Sequence, residues 1–197
     1  MADKQKKGIS PGWIVTIVVL VVIVFVVLSG VGMYNNLVRS DVNVDNAWAN
    51  VQTAYQRRAD LIPNLVETVK GAANFEQTTL TDITAARSAW TNAKTPEEQV
   101  AAANGMESAL SRLMVVVESY PTLTATQNFK DLQAQLEGTE NRISVERMRY
   151  NTAVQDFNTK VRVFPTNIVA GMFGLEKRTF FEATAGAEIV PLVNLTG

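Results

Sequence analysis

The chain has 197 residues, a formal net charge of −1, and neither histidine nor cysteine. Without these residue types it cannot supply imidazole bases, thiol nucleophiles, ordinary zinc sites or the Glu-x-x-His ligands of di-iron bundles. It carries no glycine-rich phosphate loop, and the part of the chain that follows its apolar segment has no basic cluster near that segment. We therefore expect no catalysis, no metal, no cofactor and no nucleic-acid binding.

An apolar segment near the N-terminus is the first clear element. Residues 8–38 contain no charged side chain, and residues 14–28 are almost all Val, Ile, Leu or Phe. At about 1.5 Å per residue, a helix from Trp13 to Tyr34 spans roughly 33 Å, enough for a hydrocarbon core of about 30 Å. The aromatic residues at its ends suit the membrane interfaces. We predict a transmembrane helix at residues 13–34 that contacts the lipid bilayer.

A cleaved signal peptide is the alternative interpretation of this segment. Its basic flank is the short tail at residues 1–12, with Lys4, Lys6 and Lys7, and residues 29–32 offer small side chains for cleavage. Apolar regions of signal peptides run to about 15 residues, whereas this one continues to Tyr34, so we favour an uncleaved anchor. Three lysines against Arg39 alone predict a cytoplasmic N-terminus and a bundle on the opposite side of the membrane.

The rest of the chain has helical composition and periodicity, and its length suffices for one domain with a hydrophobic core. Breaks are expected at Gly71, Thr95-Pro96 and Tyr120-Pro121. The segment Thr95 to Glu98 is a capping box with proline at the first helical position. We predict an all-α antiparallel bundle of about four long helices at residues 35–175. Its helices should lie near 35–72, 75–92, 96–119 and 123–163, and an extended tail follows at 176–197.

Two of the predicted helices carry matching seven-residue repeats. The last helix repeats Phe129, Leu136, Ile143, Tyr150, Phe157 and Phe164, and the first repeats Leu37, Val44, Val51, Arg58, Leu65 and Ala72. Such repeats are typical of the seams of helical bundles. An antiparallel alignment of the two helices places Arg58 opposite Glu140. We therefore predict a partly buried ion pair between them.

Polar residues near the seam are candidates for an interaction site or for a structural polar layer; they are Arg57, Arg58, Asp60, Asn64, Glu140, Asn151 and Asn158. We favour the structural interpretation, because polar seam residues often set the register of a bundle. Pro63 removes a backbone hydrogen bond to Ala59 and predicts a kink. The two asparagines at 151 and 158 share the seven-residue spacing, and we expect them to form hydrogen bonds across helices. Along the last helix the charges alternate in sign, as on a solvated or paired face; the residues are Glu140, Glu146, Arg147 and Arg149.

The third predicted helix has two unlike sides. Its inner stripe is Ala103, Met106, Leu110, Leu113 and Val117, whereas its other side has the small residues Ala101, Gly105, Ser108, Ser111, Val115 and Ser119. An exposed helix face normally carries more long charged side chains. We predict that this face packs against a second copy of the chain in a homo-oligomer. The second helix of the same chain and plain solvent are the alternatives.

Four stretches resemble the LemA family: YNNLV, AWANVQTAYQRRADLIPNLVETVKG, LEGTENRISVERMRYNTAVQDFN and FPTNIVAGMFG. The resemblance extends from Tyr34 to Phe181. It implies a single-pass protein of the bacterial cytoplasmic membrane with a helical bundle, associated with membrane metalloproteases, other envelope proteins and envelope stress. It implies no defined biochemical activity. Some descriptions of the family place the short N-terminus outside the cell, opposite to the orientation that the lysines predict.

Two classes of function remain. The first is a scaffold or adaptor that binds partner proteins or copies of itself. The second is a membrane-tethered sensory or ligand-binding four-helix module, in which seam arginines would bind small anions. Sensors normally cross the membrane twice and feed a signalling domain, so we favour the first class. The C-terminal part adds a short predicted helix at 166–173 and the pair Phe180-Phe181, which we expect to be apolar anchors. An extended segment at 189–193 packs in cis or pairs with another protein.

Overall fold

A computed structural model of the chain describes residues 11–71 and 75–181, and all regular secondary structure within them is helical. The helices are α1 (Pro11–Lys70), α2 (Gln77–Asn92), α3 (Pro96–Val117), α4 (Pro121–Thr124), α5 (Gln127–Arg162) and α6 (Thr166–Met172). The predicted all-α fold is confirmed. Helix α1 joins the predicted transmembrane segment to the predicted first bundle helix without a break. The lysines of the N-terminal tail, Ala72 and the segment at 189–193 lie outside the described residues.

The chain divides into two compact units. The first unit combines Met1–Val44 with Ala153–Arg178, and the second combines Asp45–Thr152 with Thr179–Gly197. Both α1 and α5 contribute residues to each unit because each helix continues past the point of division.

The candidate membrane span lies at the start of α1. Its large apolar side chains from Trp13 to Leu28 are between 47% and 70% exposed, so no other part of residues 11–71 and 75–181 covers them. By length and composition α1 is apolar enough to cross a membrane, with a mean hydropathy of 3.3 in its most apolar window. Helix α3 meets the same criterion at a mean hydropathy of 1.2, but its apolar stripe is buried in the protein. The exposed apolar surface of α1 is the part that suits a bilayer.

The first unit has a small core and a short closing helix. Its buried side chains are Leu37, Val44, Ala153, Val154, Phe157 and Ala170. Helix α6 ends before Gly174, which has a φ of 67° and so adopts the left-handed conformation that favours glycine. The predicted seam continues only to Phe157. Phe164 lies beyond the end of α5 and is exposed, so its assignment to the seam was wrong.

The second unit is a helical bundle in which α2 and α3 form a close pair. The predicted capping box starts α3: Thr95 Oγ1 accepts from the Glu98 amide, and the Glu98 carboxylate accepts from the Thr95 amide. Hydrogen bonds from the amide of Lys94 and from that of Thr95 to this carboxylate lower the pKa of Glu98. The predicted inner stripe of α3 is buried as expected.

One aromatic contact and one ion pair in the second unit show the register of α1 against α5. Trp48 packs on Tyr150 with their ring centroids 5.2 Å apart, and Arg58 pairs with Glu140. A step of ten residues forward on α1 therefore matches a step of ten residues backward on α5. The helices run antiparallel, in the register that their repeats predict.

Helix α1 continues through Pro63, which has no N–H to donate to the carbonyl of Ala59. Arg87 of α2 donates from Nε to that carbonyl oxygen at 3.0 Å. Because Ala59 is fully buried, its carbonyl would otherwise have lost a hydrogen bond in the core. Pro63 thus leaves the Ala59 carbonyl without a backbone donor, and this carbonyl accepts the hydrogen bond that links α1 to α2.

Candidate functional site

A buried arginine is the first component of the candidate site in the second unit. The side chain of Arg58 is 4% exposed, whereas that of its partner Glu140 is 56% exposed. The guanidinium donates from Nη2 to the carboxylate of Glu140 and from Nε to Thr139 Oγ1 at 3.3 Å. The predicted ion pair is present, and its two members differ sharply in their access to water.

A tyrosine, a glutamate and an arginine from three helices form the second component. Tyr55 of α1 donates its hydroxyl to Glu107 Oε1 of α3 at 2.5 Å, and Arg147 of α5 donates to the same oxygen at 3.1 Å. Burial, followed by the hydrogen bond to the Glu107 carboxylate, raises the pKa of Tyr55 far above its ordinary value. The phenol therefore stays protonated and acts as a fixed hydrogen-bond donor in the core.

A groove with a volume of 390 Å³ opens beside these residues. Its apolar lining includes Leu110, Met114 and Leu136, and its acidic lining consists of Glu107, Glu137 and Glu140. Arg58 is the cation that lines it, and this guanidinium is already paired with Glu140. The groove therefore combines an apolar floor with an excess of negative charge.

Glu146 is a buried carboxylate that lies two seven-residue repeats after the buried Leu132, on the core-facing stripe of α5. Its side chain is 1% exposed, while Arg142 and Arg149, which both donate to Oε1, are 60% and 59% exposed. Its other oxygen, Oε2, has no hydrogen-bond partner among the described residues. The carboxylate is paired, as the alternating charges indicated, but it lies in the core rather than on a solvated face.

The asparagines at 151 and 158 bind an extended segment and not another helix, which corrects the prediction. In the second unit, Asn151 donates to the Phe181 carbonyl at 3.0 Å and accepts from the Phe181 amide at 2.8 Å. In the first unit, Asn158 makes the same pair of bonds to the main chain of Arg178. An asparagine amide can do this because it carries a donor and an acceptor side by side.

The other predicted polar residues are not brought together with Arg58. Arg57, Asp60 and Asn64 are all exposed on α1, where Asp60 accepts from the Gln56 amide at 2.8 Å. Arg57 precedes Arg58, and Asp60 and Asn64 follow it. All three point away from the seam, because each successive residue of a helix is rotated by about 100°. The polar layer is therefore smaller than the sequence suggests.

None of the described residues covers the predicted oligomer face of α3. All six of its members are exposed: Ala101, Gly105, Ser108, Ser111, Val115 and Ser119. Val115 is an apolar side chain that remains 66% exposed. Helix α2 of the same chain therefore does not cover this face, and a second copy and solvent remain as the alternatives.

Glu107 and Phe181 complete the site. Phe181 is buried, as expected of the predicted apolar anchor, whereas Glu107 was not singled out in the sequence. Phe181 is 3% exposed and stacks on Tyr55, whereas its neighbour Phe180 is 48% exposed. Glu107 is one of the few charged residues in the central part of α3. A carboxylate in the small and apolar middle of this helix, away from the glutamates of its first turn, was the available signal.

The second unit also carries most of the similarity to known proteins. A model of the LemA family matches residues 47–195. The chain is 29% identical over 155 residues to Protein LemA of Metamycoplasma hominis, covering 78% of this chain and 71% of that protein. It is 35% identical over 78 residues to Magnetosome protein MamQ 2 of Paramagnetospirillum magneticum, covering 40% and 29%. The match to Magnetosome protein MamQ of Magnetospirillum gryphiswaldense is 31% over 83 residues, covering 42% and 30%.

The chain thus spans most of the LemA protein but less than a third of either MamQ protein. Together with the apolar start of α1, the family match identifies a membrane-associated helical protein.

Proposed function

Because the chain belongs to the LemA family, we propose that it is a membrane-anchored scaffold or adaptor that binds other proteins and copies of itself. The observation that carries this proposal is the outer face of α3. This face consists of small side chains and the exposed Val115, while the opposite stripe is buried in the bundle. Small residues allow close approach of a second helix, and a face made only for solvent usually carries long charged side chains.

The adjoining groove supports the same role. Ser111 belongs both to the small face of α3 and to the lining of the groove, so the two features form one continuous surface. An apolar floor with carboxylates at its margin suits a partner segment that carries apolar residues flanked by lysine or arginine.

The proposed location is the bacterial cytoplasmic membrane, crossed once, with the N-terminus in the cytoplasm. The support is the uncovered apolar segment of α1 and the excess of lysines before it. After carbonate washing, the full-length chain should stay in the membrane fraction. A reporter fused after Gly197 should be active outside the cytoplasm, and activity inside it would reverse the orientation.

A role without catalysis is part of the proposal. A sequence with neither histidine nor cysteine lacks the side chains that most often act as bases and nucleophiles. The resemblance names membrane metalloproteases and other envelope proteins as partners, and it connects the role to envelope stress.

The experiment that tests the proposal is purification of the full-length chain from its own membrane in mild detergent. Co-purifying proteins are identified by mass spectrometry, and the particle mass is measured. A matched variant, Val115→Glu, places a charge on the outer face of α3 and should reduce the particle mass or remove a partner. A monomer without a partner, unchanged by Val115→Glu, would refute the scaffold role.

A sensory or ligand-binding module is the second candidate, favoured by the size of the groove and by the buried Arg58 in its lining. Its weakness is electrostatic, because Arg58 is paired with Glu140 and further carboxylates line the groove. Small carboxylate and phosphate anions should therefore leave the melting temperature unchanged. A rise that disappears in Arg58→Met would support the sensor instead.

A further inference from the structure

We propose that the pocket around Phe181 in the second unit is an exchangeable binding site for an extended peptide segment with an aromatic side chain. Its occupant in this structure is the chain's own segment, residues 179–181. The second occupant that we assign to it is the same segment of another copy of the chain. This inference deepens the self-association part of the proposed function and rests on it.

The main chain of the segment is bound by side chains of α5. Tyr150 donates its hydroxyl to the Thr179 carbonyl at 2.9 Å. Asn151 binds both the amide and the carbonyl of Phe181, at 2.8 Å and 3.0 Å. All three hydrogen bonds engage main-chain atoms, which every peptide offers, so this part of the site recognises an extended backbone rather than a particular sequence.

The ring of Phe181 provides the selective part. It lies 6.1 Å from the Tyr55 ring with an interplanar angle of 11°, and 6.1 Å from the Trp48 ring. The guanidinium carbon of Arg147 lies 4.2 Å from the centre of its ring. Stacking and cation–π contacts both require an aromatic ring, so an aliphatic side chain of similar size would lose them.

The segment occupies its place as a bound peptide does. It belongs to no helix, and it inserts a single side chain, while the adjacent Phe180 stays largely exposed. The groups that hold it come from α1 and α5, elements that are part of the bundle without it. Another copy carries a segment of identical chemistry, and exchange of identical elements is a known route to dimers.

The first experiment vacates the pocket and offers a free peptide. The probe is a fluorescent peptide of residues 175–181, titrated against full-length protein in mild detergent and followed by anisotropy. Phe181→Ala protein should bind it at least about tenfold more tightly than the wild type, whose own segment competes at a high effective concentration. If Phe181→Ala protein lacks helical circular dichroism, Phe181→Leu, which keeps apolar volume without the ring, takes its place.

The matched controls separate the two adjacent phenylalanines. A peptide with alanine at position 181 should lose at least about tenfold in affinity, whereas alanine at position 180 should change it little. In the vacated protein, Asn151→Ala should weaken binding, and Asn141→Ala, an exposed asparagine on the same helix, should not. Equal binding by wild-type and vacated protein, or equal loss from both peptides, would overturn the site.

The second experiment tests the assigned occupant. One tagged copy carries Phe181→Ala, so its pocket is intact and empty. A differently tagged copy carries Asn151→Ala with Arg147→Met, so its segment is intact and its pocket impaired. When both are expressed in one membrane, the mixed pair should co-purify more than either copy with itself. No excess of the mixed pair would refute exchange between copies, even if the free peptide binds.

The outcome is separable from the proposed function. If partners co-purify and the particle is oligomeric, but the mixed pair shows no excess, the scaffold role is supported and only this inference is refuted. If the vacated protein binds the peptide but the wild type is monomeric and has no partners, the peptide-binding property of the pocket is supported. That result would nevertheless refute the scaffold and the second copy as an occupant.

Discussion

Arg58 of α1 and Glu140 of α5 form an ion pair across the bundle, in which the arginine is buried and the glutamate is more than half exposed. The two members are therefore not equivalent. Removing the glutamate leaves a cation in the core that still donates to Thr139, whereas removing the arginine leaves a carboxylate that water can reach.

This asymmetry gives the first prediction. Glu140→Ala should cost about 3 kcal/mol of unfolding free energy, because the buried guanidinium loses its charged partner. Arg58→Met keeps the apolar stem and should cost no more than about 1 kcal/mol. The free energy of unfolding of each variant and of the double variant is measured by denaturant titration in mild detergent. Strict additivity in this cycle would contradict the pairing.

The second prediction concerns Arg87 and the carbonyl of Ala59. Arg87→Met should cost about 1 to 3 kcal/mol, because the buried carbonyl opposite Pro63 loses its donor. In a Pro63→Ala background the restored backbone N–H supplies that donor, so the same substitution should cost clearly less. The comparison uses denaturant titrations of the four proteins in one buffer. An equal cost in both backgrounds would show that the proline and the arginine are not linked.

The third prediction concerns the buried carboxylate of Glu146. Its arginine partners are exposed, so they are not left buried and unpaired when the carboxylate is removed. Glu146→Leu should therefore leave the free energy of unfolding within about 1 kcal/mol of the wild type, or raise it. Glu140→Leu is the matched control and should destabilise. A loss of several kcal/mol in Glu146→Leu would mean that its pairing outweighs its desolvation.

The fourth prediction is a pH dependence due to Tyr55. Its pKa is raised by burial and by the bond to Glu107, whereas an unfolded tyrosine titrates near 10. Above that pH the unfolded state binds fewer protons than the folded state, so stability falls as pH rises, by up to about 1.4 kcal/mol per pH unit. Below pH 10 this contribution is fully present.

Tyr55→Phe removes the titrating hydroxyl, so this variant should lose the contribution of that hydroxyl to the free energy of unfolding. The difference in unfolding free energy between the wild type and Tyr55→Phe should be constant from pH 7 to about pH 10 and should shrink above it. Thr53→Ala, a nearby exposed position on α1, is the control and should run parallel to the wild type. Parallel curves for Tyr55→Phe would exclude the raised pKa.

The fifth prediction concerns the outer face of α3. Ser108→Cys introduces the only thiol of the chain, because the natural sequence has no cysteine. If two such faces meet about a two-fold axis, mild oxidation in intact membranes should give a disulfide-linked dimer. Ser144→Cys on the exposed side of α5 is the control and should stay monomeric. Particle mass must be measured as well, because a head-to-tail contact would escape a single thiol.

Much of the fold follows from the sequence, because the responsible interactions are local or periodic. An uncharged apolar run determines the membrane segment of α1. Thr95 and Glu98 determine where α3 begins through atoms three residues apart. The seven-residue repeats of α1 and α5 determine which faces meet and predict the pairing of Arg58 with Glu140. In each case the partners lie within one turn or on one stripe, so spacing along the chain is sufficient.

Other contacts are determined only by the tertiary structure, because the helical periodicity of the sequence does not predict them. Asn151 and Asn158 lie on the expected edge of α5, but their partners are main-chain atoms of an extended segment that any sequence could provide. Glu146 was expected on a charged face and is buried. Its spacing from Leu132 places it on the core-facing stripe of α5, but its charge indicated an exposed position. Phe164 continued the repeat in sequence but lies beyond the last turn of α5. Only the packing of distant segments against one another determines such positions, since their free energy depends on neighbours far away in the chain.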